Sequence, residues 1–216
     1  MIKVKCTQLE EVRRNPVRYA QMEAEGTAKK GGGLHGIFAC VKTAICHVHK
    51  GKFDVNAGLK DLQKQFLNRF EENTRNKTKQ NDLMEKYVKY HKDFERMKME
   101  FVDGMHFLNW NIHPSVMLTG QTPWIFQNDT GFFAYFLTET YIDNWQSELR
   151  FPILQQHLAK VYLDCDPSNL KIGIYSFKKG AFEFMSYNKK HLKTSLTETN
   201  VLFQKVNDEF EKQKKK

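Results

Sequence analysis

The sequence predicts a mixed α/β fold of α+β character, with a helical N-terminal half and a central mixed sheet of about five strands flanked by helices. Three observations carry this. Apolar residues recur at three- and four-residue spacing through the first half of the chain. From Met105 to Glu139 that period gives way to a stretch rich in Phe, Trp, Ile, Val and Thr, punctuated by Pro114, Gly120 and Asn128-Asp129-Thr130-Gly131. The remainder alternates helix, hairpin and helix.

The elements follow in order. Thr7 and Glu10 stand at capping-box spacing before a short apolar face, Leu9 and Val12, which Asn15-Pro16 interrupts. After Gly31-Gly32-Gly33, the residues Ile37, Val41, Ala44, Ile45 and Val48 place a buried helix over Leu34 to His49, ended by Gly51. Leu59, Leu62, Phe66 and Phe70 mark a third helix. Leu83, Tyr87, Phe94, Met97 and Phe101 mark a fourth, so the two form a hairpin around Asn73–Asn81. Three strands are expected near 105–112, 115–127 and 131–139, then a helix from about Ser147 to Leu163. A hairpin, Lys171–Phe177 with Ala181–Tyr187, precedes a long terminal helix through Leu192, Leu202 and Phe210. No internal repeat or linker divides the chain, so one domain, 1–216, is expected, with a helical insert at about 53–103 and a basic tail at 212–216.

Composition narrows the function. The chain carries a formal charge of +9, and its charge is uneven: +6 over 1–52, +1 over 53–113, −4 over 114–169 and +6 over 170–216. Two basic ends form an electrostatic footprint suited to nucleic acid, because each Lys or Arg laid on a phosphate releases counterions. No apolar run approaches the roughly 20 residues of a membrane span. Four sparse cysteines do not outline a disulfide framework, so a cytoplasmic location without membrane contact is expected.

Familiar catalytic signatures are missing: no Walker loop, dinucleotide fingerprint, Gly-x-Ser-x-Gly elbow or paired Cys-x-x-Cys occurs. The glycine run reads as a flexible turn. Cys40, Cys46, His47 and His49 cluster in sequence, but at 100° per residue they do not share one helix face, so no metal site is expected there.

The order of elements and several strings resemble the PD-(D/E)XK nuclease superfamily in its RecB-like branch. Gln8–Tyr19 matches the family's short first helix with its Asn-Pro string. Gly31–Ile45, "GGGLHGIFACVKTAI", matches its glycine-led, histidine-bearing helix. "LTGQTPWIF" (Leu118–Phe126), "FFAYFLTE" (Phe132–Glu139) and "ELRFPILQQHLAKVY" (Glu148–Tyr162) match its two catalytic strands and the helix that follows. The resemblance implies a restriction-endonuclease-like core. It also implies a divalent cation held by a carboxylate from each strand, beside a lysine that activates water.

The chain departs from that pattern where the chemistry lies. The first acid position falls at Pro123, and the second acid and lysine fall at Tyr135 and Leu137. No lysine occurs between Lys98 and Lys160. The resulting expectation is a catalytically degenerate nuclease-like protein of a bacterium or phage, without cofactor, that binds nucleic acid, DNA ahead of RNA, or organises a larger complex with a protein partner. Candidate contacts are Arg13, Arg14 and Arg18, Lys178 and Lys179, and Lys189, Lys190 and Lys193, with Phe184 and Tyr187 as stacking surfaces. The alternative is an active nuclease with migrated ligands, Glu139, Asp143 or Glu148 with His35 and Gln155, using Mg²⁺ or Mn²⁺; a second alternative is a protein-interaction subunit of unrelated α+β fold. In the degenerate case Phe133, Tyr135, Leu137 and Glu139 share one strand face, and Leu137 beside Pro123 packs the former cleft shut.

Overall fold

The computed structural model describes residues 1–27 and 36–215. The chain opens with β1 (Ile2–Lys5), a short 3₁₀ turn, and helices α1 (Leu9–Arg14) and α2 (Pro16–Ala24). Asn15 separates the two helices and caps the second, its side chain accepting from Arg18 N at 3.0 Å. Helices α3 (Ile37–His49), α4 (Val55–Leu67) and α5 (Thr74–Met97) follow. Asp54 and Asn73 cap α4 and α5. The strands β2 (Glu100–Gly104), β3 (Phe107–His113), β4 (Val116–Gln121), β5 (Trp124–Asn128) and β6 (Gly131–Thr138) come next. They are followed by α6 (Arg150–Val161), the hairpin β7 (Leu170–Ser176) and β8 (Ala181–Met185), and α7 (Lys189–Lys214).

The expected five-stranded mixed sheet is present, in the order β2-β5-β6-β7-β8, with β6 and β7 parallel and the other pairs antiparallel. The expected strand 105–112 is not part of it: β2 takes that place, and the strand forms β3 of a second sheet, β1-β4-β3, which was not legible and in which β1 alone falls outside the expected strands. The expected strand 115–127 is two strands belonging to different sheets. The break falls at Thr122-Pro123, where proline offers no N–H to a ladder. The fourth helix stops short of Phe101, because Lys98 turns left-handed at φ +50° and the chain leaves as β2. The Thr7–Glu10 box gives way to a longer reach: the Glu10 carboxylate accepts from Leu149 N at 2.7 Å.

The larger sheet divides two apolar cores by period-2 alternation. Ile125, Ala134, Ile172 and Ile174 face α6, α7 and the smaller sheet. Trp124, Phe126, Phe133, Tyr135, Leu137 and Tyr175 face α3, α4 and α5. The expected alternation along β6 is therefore the observed one, and it puts Tyr135 and Leu137 under the helical layer. Among the described residues, no helix is long and apolar enough to cross a membrane.

Candidate functional site

A crevice opens where the two sheets part. Trp124 pairs with Tyr135 as the first rung of β5 on β6, so Phe136, Leu137 and Thr138 pair only with β7. The backbone there has lost a neighbour, and the chain that would have supplied it crosses between the sheets at Thr122-Pro123. A second crossing, Gly104–His106, runs alongside: Thr122 N donates to His106 O at 2.9 Å, and His106 N donates to Thr122 Oγ1 at 3.0 Å. Gly104 is required in this pair of crossings. Its φ is +148°, and a Cβ would lie 2.6 Å from Trp124 Cα.

Ligand sites favour such places, at the end of a strand where a sheet loses continuity. The cavity measures about 650 Å³. Pro123, Tyr135 and Leu137 all line it, so the three positions that the family resemblance singled out do meet at one site. Their immediate packing is dense: Tyr135 and Leu137 are buried, and Tyr135 stacks on Phe126 at 4.9 Å. The cleft is not packed shut, however, because its remaining walls come from β1, β3, β4, α3 and α6 and stand apart.

Those walls are basic. Lys3 and Lys5 reach it from β1, Lys42 from α3 and Arg150 from α6, while no Asp or Glu lines it among the described residues. Burial holds the Lys42 ammonium below its usual range. Arg150 lies over Phe151 at 4.8 Å and Phe136 at 5.6 Å. Its Nε sits 2.6 Å from Glu148 Oε2. Cys6, on the floor, is pushed up to about 12 by burial and is inert as a nucleophile. The sequence signalled none of Lys3, Lys5, Lys42 or Arg150.

The other candidates are dispersed. His35 and the glycine run lie outside the described residues. Glu139 is exposed and lines a separate cavity of about 220 Å³ with Asp82, Lys79 and Lys86. Asp143 is exposed, and Glu148 is taken by Arg150. Among the described residues no three His, Cys, Asp or Glu side chains are placed to hold a metal ion. Gln155 is buried and holds the fold together: its Nε2 donates to Pro167 O at 2.8 Å and Tyr187 O at 3.1 Å, and its Oε1 accepts from Tyr187 N at 2.9 Å. Gln155→Leu is expected to lose about 2 kcal/mol by orphaning these buried groups, with nucleic-acid binding unchanged below the melting transition; paired urea and binding titrations check it.

The basic candidates divide similarly. Arg14, Arg18, Lys178, Lys190 and Lys193 are exposed. Arg13 is bound to Glu198 at 2.7 Å and to Ser147 O at 2.9 Å, and Lys189 to Asp166 at 2.9 Å. Lys179 lies 3.2 Å from the centre of the Tyr141 ring and 3.0 Å from Glu183. Burial alone would raise the Glu183 carboxyl, but donation from Trp145, Lys179 and Tyr141 outweighs it and holds it below the usual range. Tyr187 is buried, its hydroxyl donating to Gln146 O at 2.7 Å, and Phe184 is half-buried against Phe133. Tyr187 therefore offers no free face to a base.

An α/β framework with a basic crevice at the split end of its mixed sheet is thus the class that fold and site define. The chain is similar in structure to the crystal structure of a protein described as "Putative exonuclease" from Eubacterium rectale, at 8% identity, over 95% of this chain and 81% of that one, with a TM-score of 0.52. That likeness shows the fold alone. No family model matches the chain, and no curated protein matches it in sequence.

Proposed function

We propose that the chain is a nucleic-acid-binding protein on a nuclease scaffold of the PD-(D/E)XK type, RecB-like branch, whose metal-ligand positions have become Pro123, Tyr135 and Leu137. One observation carries this reading: among the described residues, the cavity on which those positions converge is lined by four cations and by no carboxylate. A two-carboxylate cation site needs local negative charge, and this wall offers the reverse, a surface for phosphates. DNA is the expected ligand ahead of RNA, in the cytoplasm and within a larger complex. Binding to short DNA should weaken steeply with added salt, the logarithm of affinity falling by roughly 0.7 to 0.9 per phosphate contact for each tenfold rise in salt. No binding at low salt would overturn the reading.

The active-nuclease alternative draws on Glu139 and Asp82, which share the smaller cavity with Lys79 and Lys86. Asp82 is already paired with Lys86 at 2.6 Å, which weighs against it. Linear DNA incubated with Mg²⁺ or Mn²⁺ is expected to remain intact. Cleavage that Glu139→Ala abolishes would favour the alternative.

A further inference from the structure

We propose that the basic crevice takes an unpaired nucleotide of a single strand without any divalent cation, its phosphate on Lys42 and Arg150 and its base on the ring of Phe107. The inference rests on the nucleic-acid reading above and narrows it.

Three independent features meet in this cavity. Lys42 is half-buried, its Nζ 6.0 Å from the centre of the Phe38 ring, and has no carboxylate partner among the described residues. A partly desolvated, unpaired charge is costly, and an arriving anion removes that cost. Arg150 lines the cavity with a side chain only 13% exposed; Glu148 holds its Nε side at 2.6 Å, and the rings of Phe136 and Phe151 lie against its guanidinium. A planar donor fixed in this way suits phosphate oxygens. Phe107, at the mouth on β3, is 81% exposed, an unusual position for a large apolar ring.

The combination selects the ligand. Stacking on an exposed ring needs a free base face, which a strand supplies and a duplex, its bases stacked on one another, does not. The cavity volume, about 650 Å³, is within the range of sites that enclose a small-molecule-sized group, so it admits one nucleotide and not a helix. Lys3, Lys5, Lys42 and Arg150 repel a divalent cation and replace it as the neutralising charge.

The test is fluorescence anisotropy of a labelled short oligothymidylate and of a duplex of equal length, in EDTA. The single strand is expected to bind more tightly than the duplex and to be unaffected by replacing EDTA with Mg²⁺. Phe107→Ser, on an exposed side chain that the fold does not need, should weaken the single strand about tenfold and leave its salt slope unchanged. Lys42→Met should weaken it and lower the slope by about 0.7. Lys60→Gln, away from the crevice, should change neither. Equal or tighter duplex binding, a requirement for Mg²⁺, an unaltered Phe107→Ser, or competition by thymidine monophosphate with no oligonucleotide binding would each overturn this inference. Duplex binding alone leaves the broader function standing, whereas absence of all nucleic-acid binding removes both.

Discussion

Gly173→Ala is expected to destabilise the protein by about 4 kcal/mol, a drop of roughly 8–16 °C in melting temperature for a chain of this size. Gly173 lies on β7 opposite Phe184 of β8. An added Cβ would overlap the carbonyl oxygen of Glu183, and would stand 2.9 Å from its carbonyl carbon and 3.0 Å from Phe184 Cα. All three atoms are backbone, so no rotamer change relieves the overlap and β8 itself has to move. The strand is not free to do so. The Glu183 carboxylate accepts from Trp145 Nε1 at 3.0 Å, Tyr141 Oη at 3.2 Å and Lys179 Nζ at 3.0 Å, tying β8 to the segment before α6. Gly58→Ala is a useful contrast, since its Cβ would meet side chains instead of backbone, the hydroxyl of buried Tyr87 and Val48 Cγ2, so the expected loss is that of the Tyr87 Oη–Val55 O hydrogen bond (2.9 Å) and local repacking, without movement of a strand. Thermal and urea unfolding of both variants check the order. A loss under 1 kcal/mol for Gly173→Ala would show that β8 is not held as described.

Local pattern and long-range placement were legible to different degrees. The helix-period runs are local, and helices α3, α4 and α7 lie where the periodicity puts them, whereas the turn expected around Asn73–Asn81 falls earlier, at 68–73, because Asn73 caps an α5 that already starts at Thr74. The alternation along β6 was readable because its two faces pack against different layers, Phe133, Tyr135 and Leu137 on one side and Phe132, Ala134 and Phe136 on the other. β1 was invisible because four residues carry two lysines, and its partner β4 lies far along the chain, in a parallel pairing that no turn announces. The break at Thr122-Pro123 was signalled by the proline, but apolar residues on both sides mask a change of sheet. Lys42 shows best why the site escaped notice. It stands between Val41 and Ala44 on a helix that reads as buried, and nothing local reveals that its flank faces a cavity whose other walls are β1, β4, β6 and α6. Pro123, Tyr135 and Leu137 were singled out through the resemblance; the basic residues beside them come from β1, α3 and α6, far apart in the sequence.

Acid is expected to unfold the protein well above the pH at which its carboxylates titrate. His49 is enclosed by Phe94 at 4.5 Å, Phe126 at 4.9 Å and Trp124 at 5.4 Å, and its Nε2 lies 2.5 Å from Tyr90 Oη, which in turn lies 2.5 Å from Tyr135 Oη. Burial pushes its pKa down to about 3, reinforced by the charge of His91 at 6.1 Å between ring centres. Burial takes His91 itself down to about 4, and its Nε2 has no hydrogen-bond partner among the described residues. An unfolded histidine titrates near 6.5, so below that pH the unfolded chain binds protons at His49 and His91 that the folded chain refuses, and burial lowers His157 in the same direction. Stability is therefore complete above about pH 6.5. It falls by about 1.4 kcal/mol per unit and per histidine as the pH drops toward the folded values. Two units of acidification cost about 5 kcal/mol, comparable to the whole stability of a marginal domain. Urea midpoints measured from pH 7.5 to 4.5 should follow this course with little dependence on salt, because the groups are buried. His91→Leu, which removes that nitrogen, should leave stability at pH 7.5 nearly unchanged and about halve the slope below pH 6.5. An unchanged slope would assign the transition to other groups. If the slope is halved, the same scan should show nucleic-acid binding lost together with the fold, since Tyr135, the last member of the His49–Tyr90–Tyr135 chain, forms part of the crevice wall.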